Sequence, residues 1–214
     1  MPDRESAGYL LGETARLMRV NLGLSLLALV VMTAIGVAAD LYPDFIALAN
    51  IASIIANLIL QYEISAALLS HYDLLDPHAS GRRLGALLGL NLLSGIGIVF
   101  GLILLIVPGI YLIVRWSAAV PALISEGADV TQSLTRSSEA VEGRFWHVFA
   151  AIALLWTLPI VAVLASALVP EDQILIASLT LNLPVSLALI TGWHLAVAVY
   201  AGREGHRGLA EVFA

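Results

Sequence analysis

This chain contains a series of long apolar runs, each about as long as the path across a lipid bilayer. A helix needs roughly 20 mostly apolar residues to cross a hydrocarbon layer about 30 Å thick. We therefore expect an all-α, polytopic membrane protein that forms a single membrane-integral domain over residues 1–214. The six predicted transmembrane helices are 20–39, 45–70, 84–107, 110–125, 148–169 and 173–201.

The composition agrees with this prediction and excludes several other classes of protein. Hydrophobic residues make up 60% of the chain and charged residues 12%, which is about half the charged share of a soluble domain. The absence of cysteine excludes disulfide bonds, thiolate nucleophiles and cysteine-ligated metals. The chain has a net charge of -6 and no basic stripe interleaved with aromatic residues, so we expect no nucleic acid partner.

The arginines predict the orientation of the helices. All 10 basic residues are arginines, and all but Arg115 lie at the two ends of the chain or in the two loops on the same side as those ends. Positive charge near short loops stays in the cytoplasm. We therefore expect a bacterial inner (cytoplasmic) membrane protein with cytoplasmic N and C termini and a cytoplasmic tail over 202–214. A cleaved signal peptide is the alternative for the first run, which exceeds the ~7–15 apolar residues of such a signal.

Two amphipathic segments on the expected cytoplasmic side are predicted to be interfacial helices. The first covers 1–19, and the second covers 129–146, where Asp129 begins a capping-box pattern. Arg144 and Trp146 lie at the mouth of a span, where the headgroup layer favours an arginine beside aromatic residues. Ordinary solvated linkers are the alternative. The predicted apolar stripe of the second segment is Val130, Leu134, Val141 and Phe145.

The third and fourth spans are expected to form a tight hairpin that turns at Pro108-Gly109, because proline and glycine together end a helix. Two pairs of glycines on the third span, Gly85 with Gly89 and Gly97 with Gly101, have the spacing that lets helices approach closely. We expect their partner helix to belong to the same chain. A helix of a second chain is the alternative.

The segment Leu105–Ser117 (LIVPGIYLIVRWS) resembles a signature of the glycerophosphoryl diester phosphodiesterase membrane-domain family and of its relatives of unknown function. The resemblance continues to Trp146 and implies an integral membrane module. In that family the helical bundle is joined to a soluble phosphodiesterase barrel of about 200 residues or more. Because the membrane part uses all 214 residues, we expect neither that barrel nor its hydrolase activity. The further matching positions are Pro121, Glu126-Gly127, Arg136-Ser137 and Glu142–Trp146.

Arg115 is the first candidate for a functional residue, because an ionisable group at the centre of a span costs about 2.5–3.5 kcal/mol. It follows Gly109 by about 9 Å of helix, which places it in the outer half of its span. The guanidinium fork matches phosphate. We therefore expect Arg115, with Tyr111 and Trp116, to bind an anion or a lipid headgroup. A structural tie to backbone carbonyls of a broken region near Pro108 or Pro121, or to acidic residues of the outer turns, is the alternative.

The spans contain further polar side chains. Glu63 and His194 are expected at similar depth, where they would hold a proton or form a neutral hydrogen-bonded pair. Asn57 and Asn91 add amides, which in membranes often only hold helices together. A Glu63 that is hydrated near the interface, or paired with an arginine there, is favoured over a proton shared with His194 or a neutral pair with it. The histidines and aspartates of His71–His78 match no metal-binding motif, so we expect no metal and no cofactor.

The absence of any recognised spacing of nucleophile and base favours a non-catalytic role. We expect an integral membrane module that binds lipid or a partner protein and supports envelope homeostasis. Its expected partners are membrane lipids, with another membrane protein as the alternative. A second hypothesis is a small carrier or lipid-moving protein whose polar route passes Glu63, Asn57, Asn91 and His194. A third is an intramembrane enzyme.

Overall fold

The computed structural model describes residues 6–76, 83–170 and 172–213, with side chains up to residue 203. The described residues form helices, and a short 3₁₀ turn over Pro43–Phe45 joins the second helix to the third. The helices are α1 (Ala7–Val20), α2 (Leu22–Leu41), α3 (Ile46–His71), α4 (Leu84–Leu104), α5 (Ile106–Arg115), α6 (Ala119–Glu126), α7 (Val130–Val141), α8 (Phe145–Ser166) and α9 (Ile174–Phe213).

Six helical segments of the described chain are long and apolar enough to cross a membrane. No more than 39% of the residues in the most apolar stretch of any of them are buried. Apolar surface on this scale is stable only with lipid as the solvent. The predicted all-helical, multi-pass membrane fold is therefore confirmed. The six segments are Leu22–Leu41, Pro43–His71, Leu84–Leu104, Ile106–Glu126, Phe145–Ser166 and Ile174–Arg203.

Several helix boundaries differ from the predicted ones. Helix α2 continues to Leu41, so Asp40 lies inside the helix and not in the turn that follows it. The second amphipathic helix, α7, does begin with the expected capping box at Asp129, but it ends at Val141. Gly143 then reverses the chain with a φ of 80°, a conformation that glycine adopts without strain. Phe145 to His147 consequently belong to the span-length helix α8.

The hairpin of α4 and α5 turns at Leu105, whose backbone is extended, so the turn predicted at Pro108-Gly109 is wrong. Pro108 lies in the first turn of α5, where its missing N–H breaks no helical hydrogen bond. Gly109 instead serves the packing of the two helices. A Cβ atom built on Gly101 would lie 2.9 Å from the Gly109 backbone, so the two backbones touch. The helix that packs on Gly101 is therefore in the same chain, as expected for the pair Gly97 with Gly101.

The fourth span consists of two helices with a break at Trp116–Ala118, and it replaces the continuous helix predicted over 110–125. Backbone groups that a break releases inside a membrane protein need new hydrogen-bond partners. Ser137 of α7 supplies them. Its hydroxyl accepts from the Ala118 N–H over 3.0 Å and donates to the Arg115 carbonyl over 2.8 Å.

Packing is uneven along the spans. At one end of the bundle, α1, α6 and α7 cover the ends of α3 and α9, and six of the eight residues of α6 are buried. Beyond Leu90, the only buried residue of α4 is Gly101, which faces α5. The far half of the α4–α5 hairpin therefore packs on itself and exposes its large apolar side chains. We call the well-packed end the α1 end.

Candidate anion site at the end of helix α5

Arg115 is the last residue of α5, one helical turn after Tyr111, so the two side chains share a face. The Nε of Arg115 donates to the Tyr111 hydroxyl over 2.8 Å, and its Nη1 donates to the carbonyl of Ser138 over 2.8 Å. Its Nη2 makes no hydrogen bond to the residues that the structure describes. The guanidinium is thus held by two contacts and keeps one edge available.

The partner of Arg115 differs from those expected. Ser138 belongs to α7, whereas the predicted ties were to carbonyls next to the proline residues or to acidic residues of the outer turns. The Ser138 carbonyl lies in the last turn of α7, where the helix dipole places partial negative charge. Arg115 therefore binds the helix that packs at the α1 end, and its predicted position in the outer half of the span is wrong because the turn lies at Leu105 and not at Gly109.

Three aromatic side chains continue the surface around Arg115. The ring of Tyr111 is 44% exposed and stacks on Phe145 with a centroid distance of 5.5 Å. Phe145 makes an edge-to-face contact of 5.4 Å with Trp146, whose side chain is 73% exposed. We call Arg115, Tyr111, Phe145 and Trp146 the Arg115 surface. It joins α5 to the beginning of α8.

Trp116 was expected beside Arg115, but it lies against α4. A Cβ atom built on Gly97 would be 2.7 Å from the Trp116 ring, so the ring occupies the space that this glycine leaves. Trp116 is the first residue after α5 ends, and its ring leaves the face of Tyr111. It is therefore a packing residue of the α4–α5 hairpin and not part of the Arg115 surface.

Ser137 is the residue of this region that sequence reasoning missed. It is fully buried, together with Ser133 one turn earlier, so the most buried face of α7 is lined with serine. The predicted stripe residues Val130 and Leu134 are only half-buried beside that face. The signal for this role in the sequence is the i, i+4 spacing of Ser133 and Ser137 beside the apolar stripe, because hydroxyl groups on a buried helix face can bind backbone groups.

Arg144 was expected to face lipid headgroups, but its side chain is buried and only 8% exposed. Its Nε donates to the Ala140 carbonyl over 2.9 Å, and its Nη2 donates to the Val199 carbonyl of α9. Gly202 leaves the space for the guanidinium, since a Cβ atom there would lie 2.8 Å from Nη1. Arg144 therefore ties α7 to α9 inside the protein.

The polar side chains predicted within the spans lie apart from the Arg115 surface. Asn91 of α4 donates to Gln61 of α3 over 2.9 Å. His194 is buried, and its two ring nitrogens contact the Ile190 carbonyl at 2.8 Å and the hydroxyl of Ser25 in α2 at 3.1 Å. The direct contact between Glu63 and His194 that the sequence suggested is therefore not formed. Glu63 and Asn57 are half-buried on α3.

At the end of the bundle opposite the α1 end, a polar cluster that includes Asp40 joins helices α2 and α9. The Asp40 carboxylate accepts hydrogen bonds from Ser178 over 2.6 Å and from Asn182 over 2.8 Å. Gly36 makes room for the Asn182 side chain. These contacts, like the one between Asn91 and Gln61, are typical of polar groups that hold membrane helices together.

Helix α1 is attached to the end of α3 by a charged cluster outside the spans. Glu13 accepts from Arg16 over 2.6 Å and from the Tyr72 hydroxyl. The Arg16 guanidinium lowers the pKa of the Glu13 carboxyl, although partial burial opposes this. Burial and the neighbouring carboxylate raise the pKa of the Tyr72 phenol. Both shifts keep Glu13 charged and Tyr72 neutral at physiological pH.

The second charged cluster joins α6, α7 and α9 at the same end. Arg136 pairs with Glu126 over 3.2 Å, Arg203 pairs with Glu139 over 2.8 Å, and Tyr200 donates to Glu126 over 2.9 Å. The positive charges of Arg136 and Arg203 are thus matched by carboxylates. Of the segment His71–His78, for which no metal was expected, residues 77 and 78 lie outside the described residues.

No protein-family model, no curated protein and no solved structure matches this chain. The resemblance of Leu105–Trp146 to the phosphodiesterase membrane-domain family therefore stays a prediction. The assignment of a function depends on the geometry around Arg115.

Proposed function

We propose that this protein is a non-catalytic membrane module of the bacterial inner membrane that binds the phosphate group of a lipid at Arg115. The observation that supports the proposal is a guanidinium inside a span-length segment with an edge free of described partners, beside exposed aromatic side chains. An arginine kept there despite its insertion cost is a functional candidate by default.

The two bonds of Arg115 favour this role because they orient the guanidinium without neutralising it. Tyr111 and Ser138 offer neutral oxygen atoms, and none of the carboxylates described pairs with Arg115. The positive charge is therefore available to an anion. Arginine binds phosphate through parallel N–H donors, which gives both attraction and geometry.

The surroundings favour a lipid over a free anion. Val107 lies one turn before Tyr111 on α5 and is 77% exposed. On the other side of Arg115, Trp146 offers the exposed amphipathic ring that membrane interfaces favour. A phosphate at Arg115 would thus sit between an interfacial aromatic group and an apolar helix face, which is the order of groups along a lipid.

The orientation of the protein is part of the proposal. With the arginines retained on one side, the α1 end and both termini are cytoplasmic. Arg115 then draws its lipid from the cytoplasmic leaflet, because its contacts on α7 belong to that end. A role in envelope homeostasis would follow from lipid binding of this kind.

The experiment that tests the proposal is native mass spectrometry of the protein released from mild detergent, with identification of the bound lipids. The unmodified protein should retain a phosphate-containing lipid in fixed stoichiometry, and Arg115→Gln should lose it while the chain stays folded. Arg19→Gln is the matched control, because this substitution removes the same charge from an exposed position at the end of α1. Equal retention by the Arg115 variant, or equal loss in both variants, would contradict the proposal.

A further inference from the structure

The donors at the Arg115 surface match two acceptor oxygens. Arg115 keeps its Nη2 free of described partners. Tyr111 accepts through its oxygen from Arg115, so its own O–H proton is not used in that bond and can be donated. A guanidinium edge and a neighbouring phenol together suit the two unesterified oxygens of a phosphodiester.

Arg115 is the one positively charged side chain at this surface among the residues that the structure describes. The chain contains no lysine, and the other described arginines near α7 are occupied: Arg83 and Arg144 donate to backbone carbonyls, while Arg136 and Arg203 pair with carboxylates. The last turn of α7 adds partial negative charge beside Arg115 through the Ser138 carbonyl. Within the described part of the chain, the site therefore offers at most one positive charge.

We propose, on the basis of the lipid-binding function above, that this site selects lipids with a singly charged phosphodiester headgroup. A phosphomonoester carries about 1.5–2 negative charges at neutral pH, and a diphosphate carries more. The second charge would remain unpaired in surroundings of low polarity, which is costly. A zwitterionic phosphodiester brings an ammonium group next to Arg115, and the two like charges repel each other.

The selectivity is tested with three lipids that share the same acyl chains: phosphatidylglycerol, phosphatidic acid and phosphatidylethanolamine. The delipidated full chain is incubated with an equimolar mixture at pH 8, where phosphatidic acid is close to doubly charged, and the retained lipids are counted by native mass spectrometry. We expect phosphatidylglycerol to be retained about tenfold more than either competitor.

Tyr111→Phe removes the phenol donor and keeps the positive charge of Arg115, so it tests whether hydrogen bonding adds to the attraction between charges. Loss of the phenol should lower retention of phosphatidylglycerol about three- to tenfold, because one hydrogen bond to a charged group is lost. Tyr42→Phe is the control, since Tyr42 is exposed directly after the C-terminal end of α2 and has no contact with Arg115 in the described structure. An equal effect of both variants would overturn the role of Tyr111 in selection.

The outcomes distinguish this inference from the proposed function. If Arg115→Gln abolishes retention but phosphatidic acid binds as well as phosphatidylglycerol, lipid binding stands and the charge selectivity is overturned. If Arg115→Gln changes the retention of none of the three lipids, the proposed function itself is overturned. Preference for phosphatidylglycerol that depends on both Arg115 and Tyr111 supports both.

Discussion

Two arginines bind the last turn of the same helix, α7, in different surroundings. Arg115 donates to the Ser138 carbonyl from α5, and Arg144 donates to the Ala140 carbonyl from the start of α8. Both satisfy carbonyls that a helix C-terminus leaves unpaired. Arg144 is covered by α9 and Arg115 is not. Coverage by distant segments, and not residue type or local partner, therefore separates a structural arginine from one open to a ligand.

The coverage has a simple physical origin in each case. Gly202 of α9 has no side chain, so the Arg144 guanidinium fits against that helix and donates to Val199. Arg115 lies where α5 runs beside α4, α7 and the beginning of α8, and the aromatic rings there cover only part of it. The same charge is therefore an internal tie at one site and a surface group at the other.

The largest expected effect is that of Arg144→Gln. It removes a buried guanidinium that donates to carbonyls of α7 and α9, and each hydrogen bond to a charged group contributes about 1.5–3 kcal/mol. The variant should melt far below the unmodified protein, or fail to accumulate as folded protein, in circular dichroism and size-exclusion chromatography in detergent. A melting temperature unchanged from that of Arg19→Gln would show that Arg144 is not a structural tie.

Ser137→Ala should have the second largest effect. It leaves the Ala118 N–H and the Arg115 carbonyl without their hydroxyl partner, and an unsatisfied buried group costs about 1–3 kcal/mol. Ser133→Ala is the matched control, because this equally buried serine donates only to the Asp129 carbonyl at the start of its own helix. Thermal unfolding of both variants in detergent tests this order. Equal stability would mean that the break in the fourth span does not depend on Ser137.

Arg115→Gln should cost less stability, about 1 kcal/mol, because its bonds to Tyr111 and Ser138 are partly exposed. Its effect on lipid retention should instead be the largest of the series. Melting temperature and bound lipid are therefore expected to rank Arg115→Gln and Arg144→Gln in opposite orders. A loss of stability as large as that of Arg144→Gln would assign Arg115 to the structural role.

The smallest effect is expected for Arg16→Gln, because its guanidinium is exposed, Glu13 is only partly buried, and such surface ion pairs contribute less than about 1 kcal/mol. The Glu13 pKa is lowered in the folded protein, so this contribution is present above the ordinary carboxyl pKa and is lost as the pH falls through the lower folded value. Melting curves from pH 7 to pH 3 should therefore show less acid destabilisation in the variant. An identical pH dependence in both proteins would remove Arg16 as the cause of the shift.

Local contacts of the candidate site were predictable from sequence, and long-range ones were not. The pairing of Arg115 with Tyr111 follows from their i, i+4 spacing on one helix. Trp116 is adjacent in sequence but leaves that face, because the helix ends there and Gly97 of α4 accepts its ring. Ser137 acquires its role from a helix break that the hydropathy pattern does not show.

The six membrane-spanning segments follow from the amino-acid sequence, since in lipid a long apolar run must satisfy its backbone hydrogen bonds mainly by forming helix. The sequence also shows which ionisable residues lie inside the spans, where their insertion into lipid costs free energy and calls for a structural or functional explanation. The tertiary structure alone decided which arginine is covered, where α5 ends and which hydroxyl closes the break. Those outcomes depend on small residues and carbonyl groups of segments far apart in the chain, and their meeting is set by the packing of the helices.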